Sequence, residues 1–124
     1  MVICGRRESA LKEAADRFPS LTTRVCDLSE MNDREALYNW IQAEHGDLNV
    51  LVNNAGIQNW MTIDDPDFFT WAEIEIAINI EAPVHLTSLF QNLKSLTIIG
   101  FSEQMTQASP VGLNQAFARM NESN

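Results

Sequence analysis

The chain has 124 residues, a length that accommodates one domain, and its composition is 45% hydrophobic and 20% charged, too apolar for a disordered polymer. Seventeen acidic against eight basic residues give a formal charge of −9. That balance argues against a phosphate-tracking surface, which needs clustered cations, and disfavours an anionic membrane for the same reason. No run approaches the ~20 consecutive apolar residues of a membrane span, and the start, Met1 to Arg7, has no apolar core of signal-peptide length. A cytoplasmic protein is expected. Two cysteines, Cys4 and Cys26, lack disulfide-framework or zinc spacing and are read as small buried hydrophobes. His45 and His85 have no ligand-like neighbours in sequence.

In chain order, Val2-Ile3-Cys4 is a short strand closed by Gly5. Leu11, Ala14, Ala15 and Phe18 recur at helical spacing, and Pro19 stops that helix. Thr22 to Cys26 is a second strand, ending at Asp27-Leu28-Ser29. Leu37, Trp40 and Ile41 mark a second helix, with Ser29 or Asn32 as the expected cap and Gly46-Asp47 as its end. Leu48 to Val52 is a third strand, apolar enough to be covered by helices on both faces.

From Asp64 to Leu93 two periods compete. Ile74, Ile76, Ile78 and Ile80 alternate as in a strand, while Ile76, Ile80 and Val84, then Leu86, Leu89, Phe90 and Leu93, follow a helical face. Length decides for helix, bent near Pro83. Leu96 to Gly100 reads as a last strand, and Pro110 opens a final helix with Leu113, Phe117 and Met120. The fold class expected is α/β, with a parallel sheet flanked by helices, one domain over 1–124.

Four segments carry a resemblance: Val2-Ile3-Cys4-Gly5-Arg6-Arg7, Cys26-Asp27-Leu28-Ser29, Leu51-Val52-Asn53-Asn54-Ala55-Gly56-Ile57, and Ile78-Asn79-Ile80-Glu81-Ala82-Pro83. In order and spacing they resemble the short-chain dehydrogenases/reductases over about residues 1–93, with 94–124 similar to a family member's C-terminal tail. The resemblance implies a partial, doubly wound Rossmann-type sheet, and hydride transfer between NAD(P) and a small carbonyl or alcohol. It also implies cofactor contacts at Arg6, Asp27, Leu28, Asn53, Ala55 and Gly56. Ligands of open parallel sheets sit beyond the carboxyl ends of the strands, where three of these segments fall. Arg6 stands where an acid would bind the ribose of NAD, and a guanidinium there suits the 2′-phosphate of NADP instead, so NADP is expected over NAD. Alone, Arg6 is equally an exposed helix-entry cation.

Asp27 matches the acceptor for the adenine amino group, or serves simply as a turn residue. Gly56 and Ala55 let the backbone approach the cofactor ribose, and the Asn53 amide can tie adjacent strands. Asn79 matches the asparagine that supports a proton-relay water, a supporting catalytic role only.

The departures are as informative. The family's general acid/base is a tyrosine with a lysine four residues later. Here the single tyrosine is Tyr38, followed at that distance by Gln42, and the lysines are Lys12 and Lys94. Ser102 is a candidate for the family's serine, but no Tyr-x-x-x-Lys follows it. The five glycines contain no Gly-x-x-x-Gly-x-Gly, so the amide cradle for pyrophosphate is missing as well. The expectation is a truncated family member, weak in nucleotide binding and incompetent for turnover. The alternative is a non-catalytic nucleotide- or partner-binding remnant. With the family's first strand absent, the two strands beside it lose their shared neighbour. They must then pair with each other, or their edges promote homo-oligomers or aggregation.

Overall fold

The computed structural model describes residues 1–93 and 96–100. Its elements alternate as β1 (Val2–Gly5), α1 (Glu8–Arg17), β2 (Thr22–Val25), α2 (Met31–Glu44) and β3 (Val50–Asn53), then α3 (Phe68–Ile76), a π-helical turn (Ala77–Glu81), α4 (Ala82–Phe90) and β4 (Thr97–Gly100). The α/β class read from the sequence is the observed one. Ser102 and the helix expected after Pro110 lie outside the described residues.

The sheet is divided. β1 pairs in parallel with β2, Val2 opposite Thr22, and β3 pairs in parallel with β4, Val50 opposite Thr97. Among the described residues β1 and β3 are not paired, so direct pairing between them, one of the two outcomes expected, is not what forms.

Core packing follows the helical spacing. Leu37 and Ile41 of α2, Leu86 and Phe90 of α4 and Cys26 form one buried cluster, against which Val2, Leu28, Leu51 and Leu96 pack. Tyr38 adds an edge-to-face contact with Phe90 at 5.2 Å between ring centres. α1 buries Leu11, and its first-turn Glu8 and last-turn Arg17 complement the helix dipole. Phe18, expected on its buried face, is instead exposed, with the Arg17 guanidinium over its ring. The strand expected to be buried on both faces is covered on one: Leu51 faces the cluster, while Val50 and Val52 stay about half exposed.

Two further departures have local causes. The cap of α2 is Glu30, neither Ser29 nor Asn32. Ser29 is already engaged, because Asp27 Oδ1 accepts from both its amide and its hydroxyl and closes a turn that ends at Glu30. The long helical segment is helical as expected, but it widens into a π turn just before Pro83. Proline has no N–H and its ring crowds the carbonyl four residues earlier, so a wider turn relieves the site. On the outer side of this run Ile76, Ile80 and Val84 are exposed at four-residue spacing.

Candidate functional site

A pocket of about 370 Å³ opens where the carboxyl ends of β1, β2 and β3 converge. β1 and the turn after it contribute Cys4, Gly5, Arg6 and Arg7, and α1 contributes Ala10 and Leu11. The loop after β2 contributes Leu28, the loop after β3 contributes Ala55, Gly56 and Ile57, and the π turn contributes Ile78. The pocket therefore brings together Arg6, Leu28, Ala55 and Gly56, four positions singled out from the sequence. Cys4, Arg7, Ile57 and Ile78 line it too and were not anticipated as site residues. The signal for Ile78 was its place beside Asn79.

The remaining candidates, Asp27, Asn53 and Asn79, are not among the lining residues. Asp27 supports the Leu28 loop: its amide donates to Asp33 Oδ2 at 2.8 Å and its Oδ1 accepts from the Ser29 hydroxyl at 2.7 Å. Partial burial opposes the Asp27 charge, but the Ser29 hydroxyl, the Ser29 amide and the nearby Arg6 outweigh it, holding the carboxyl below the usual range. The turn role is the one its hydrogen bonds display. Asn53 ends β3 in register with Gly100, where the backbone ladder ties the strands. Asn79 lies in the π turn and spans to the β3 loop, donating from Nδ2 to Ile57 O at 2.7 Å and accepting at Oδ1 from Ile57 N at 2.9 Å.

The cysteines differ from their sequence reading. Cys26 is buried as expected, but Cys4 is exposed at the pocket. A hydrogen bond from Cys26 lowers the Cys4 thiol, while that partnership and burial push Cys26 far up. Cys4 is the thiolate-prone member.

Arg34 was missed altogether. It is 1% exposed, donating to Leu28 O at 2.7 Å, to His85 Nδ1 at 3.0 Å and to Glu81 Oε1 at 2.5 Å. A signal existed: Arg34 shares the helical face of Leu37 and Ile41, an unusual place for a cation.

Tyr38 does not line the pocket; its hydroxyl accepts from Gln42 Nε2 on the surface of α2, and Lys12 is paired with Asp16 at 2.9 Å. Among the described residues no group of His, Cys, Asp or Glu is arranged to hold a metal ion, and no helix is long and apolar enough to cross a membrane.

Parallel strands wound with helices, with a pocket at their carboxyl ends bounded by an arginine and an Ala-Gly loop, define a Rossmann-type fold. The short chain dehydrogenase family matches residues 1–97, and the chain belongs to that family. It is 45% identical over 92 residues to the uncharacterized oxidoreductase DltE of Bacillus subtilis (strain 168), covering 73% of this chain and 36% of that protein. A tropinone reductase homolog of Arabidopsis thaliana is 32% identical over 96 residues, 69% of this chain and 34% of the relative. The chain thus spans about a third of the length of these relatives. Among solved structures, a metagenomic short-chain oxidoreductase in complex with NADP superposes with a TM-score of 0.67 at 26% identity, over 80% of this chain and 48% of that one. The Pseudomonas aeruginosa RhlG/NADP complex shares the fold, with a TM-score of 0.69 at 20% identity over 80% of this chain and 43% of that one.

Proposed function

We propose that the pocket takes the adenosine half of NADP, and that the family activity behind it is hydride transfer between NADPH and a small carbonyl or alcohol. The observation that carries this reading is the convergence of Arg6, Leu28 and the Ala55-Gly56 backbone on one pocket. These residues fit the group. Arg6 and Arg7 place two cations at the start of α1, where a helix N-terminus also favours an anion. Leu28 offers an apolar surface for the adenine, and Ala55 and Gly56 leave room for the ribose. Bound there, the nicotinamide nucleotide supplies the hydride. The relative described as an NADP complex supports the choice of nucleotide.

As the 124 residues stand, binding without turnover is the expectation. No Tyr-x-x-x-Lys pair occurs in the sequence, and the hydrogen bonds of Asn79 show it bracing Ile57, where the family pattern gives it a supporting catalytic role. Without the glycine cradle, affinity for NADP falls at about 1 mM or poorer, near −4 kcal/mol. The acidic net charge opposes an anion at long range, so Arg6 acts locally and its effect weakens with salt. Ligand-detected NMR with NADP and NAD tests this. NADP is expected to bind measurably better, with the preference lost in Arg6→Ala; equal binding of the two nucleotides overturns it.

A second reading, a partner-binding or self-associating module, draws on the unpaired edges of β1 and β3 among the described residues and on the exposed stripe Ile76, Ile80 and Val84. A cytoplasmic location is proposed with it, supported by two free thiols of which one is exposed.

A further inference from the structure

We infer that Arg34 is a positioning residue that locks together the loops on either side of the pocket, and that the lock holds while His85 is neutral. The inference names a regulation of the same pocket, and its functional consequence rests on the nucleotide reading above.

The argument begins with what a buried guanidinium requires. Arg34 is 1% exposed, so each N–H it buries needs an acceptor. Its three partners come from three different places: Leu28 O in the loop after β2, Glu81 at the end of the π turn, and His85 in α4. Leu28 is itself a wall of the pocket, and the π turn supplies a second wall through Ile78. The same turn carries Asn79, which holds both backbone groups of Ile57, a third wall. A continuous path therefore runs from Leu28 through Arg34 and Glu81 to Asn79 and Ile57. Displacing the guanidinium frees the Leu28 carbonyl and the end of the π turn together.

His85 makes the path proton-sensitive. Arg34 Nε carries one hydrogen and no lone pair, so the imidazole nitrogen facing it at 3.0 Å must be the unprotonated one. A proton taken from solvent at Nδ1 would set N–H against N–H and a second positive charge beside the first. Among the described residues α2, the π turn and β3 make the main contacts with α4. From α2 the ionisable group bonded to His85 is Arg34, the π turn brings Glu81 one helical turn before His85, and β3 has no ionisable side chain. An imidazolium therefore repels Arg34 and competes for Glu81, whose side chain is 57% exposed. Both effects loosen the same three-way contact.

The test is NMR of the full chain between pH 8 and pH 5, the range in which imidazoles titrate. The expected result is that the Ser29 and Ile57 amide resonances shift with one common midpoint, equal to that of the His85 ring carbons. His45, the other imidazole, stands against Trp40 and is followed separately. In His85→Gln, whose side-chain oxygen accepts at every pH, both shifts are expected to vanish. Amides that stay in place through the His85 titration, or that shift equally in His85→Gln, overturn the inference. If the variant does not fold, the wild-type titration alone decides. NADP added to the wild type at pH 7.5 reads the nucleotide proposal separately: no shift at Arg6, Leu28 or Gly56 removes that proposal, while the lock stands or falls by the titration.

Discussion

The side chain of Asn79 satisfies both backbone groups of Ile57, giving a proton from Nδ2 to the carbonyl at 2.7 Å and taking one at Oδ1 from the amide at 2.9 Å. A side-chain amide carries its donor and its acceptor on separate atoms, and so can meet a backbone carbonyl and a backbone amide at once. Asparagine is unfavourable inside a regular helix, because it competes for backbone partners. Here it sits where the helix widens, and the backbone it engages is that of a loop. Replacing Asn79 with Ala removes both bonds to Ile57, while the Asn59 amide, further along the loop after β3, keeps its bond to Glu75 Oε1. The expected loss is about 1–3 kcal/mol, read by chemical denaturation, with faster hydrogen exchange at Ile57. Asn79→Asp keeps an acceptor for the Ile57 amide but sets a carboxylate oxygen against its carbonyl, and is expected to be no better than Ala at neutral pH.

The core offers an internal control. Leu86 is buried against α2, whereas Val84, two residues earlier on the same helix, is 67% exposed. Leu86→Ala is expected to cost about 2–5 kcal/mol, and Val84→Ala under about 0.5 kcal/mol. Equal effects measured by urea unfolding would show that the outer face is covered in solution.

Asp27 predicts an acid limit. Its carboxyl is held below the usual range, so the folded state binds that proton less readily than the unfolded chain. The stability it contributes is fully present above the ordinary carboxylate range and is lost as the pH falls through its lowered folded value. In Asp27→Asn this portion of the pH dependence is expected to disappear, as thermal unfolding between pH 6 and pH 3 would reveal.

Thiol labelling separates the two cysteines. Cys4 is exposed and lowered, Cys26 is 2% exposed and raised. Iodoacetamide is therefore expected to alkylate Cys4 first, at a pH below that needed for a free thiol, while Cys26 reacts only on unfolding. Mass spectrometry of the digested protein locates the label, and NADP is expected to slow it, since Cys4 lines the pocket.

Association is the fifth expectation. The β1 and β3 edges left unpaired among the described residues favour self-association, which light scattering after size exclusion would detect. A sharp monomer peak with cooperative unfolding would remove the proposal.

Periodicity alone exposed most of this fold. Leu37, Ile41, Leu86 and Phe90 are core residues because apolar side chains at three- and four-residue spacing share a helix face. The clustering of Arg6, Leu28, Ala55 and Gly56 was legible because the family resemblance marks all four and each follows the carboxyl end of a parallel strand. What stayed hidden depends on contacts distant in sequence. Nothing near Arg34 announces His85, 51 residues away, as its acceptor. The π turn was masked by the alternating isoleucines, which fit two periods equally well until Pro83 settles the backbone. The cap at Glu30 was misread because Ser29, the better capping residue by type, is already held by Asp27.

The division between β1–β2 and β3–β4 sets an order for folding. β1 and β2 are joined through α1 alone, so their pairing closes a short loop at small entropic cost. β3 and β4 meet only after α3, the π turn and α4 have been traversed. Their ladder is the non-local one, and non-local pairings form late. Pulse-labelled hydrogen exchange should protect the amides of β2 before those of β3, with α2 and α4 joining the two halves in the final step.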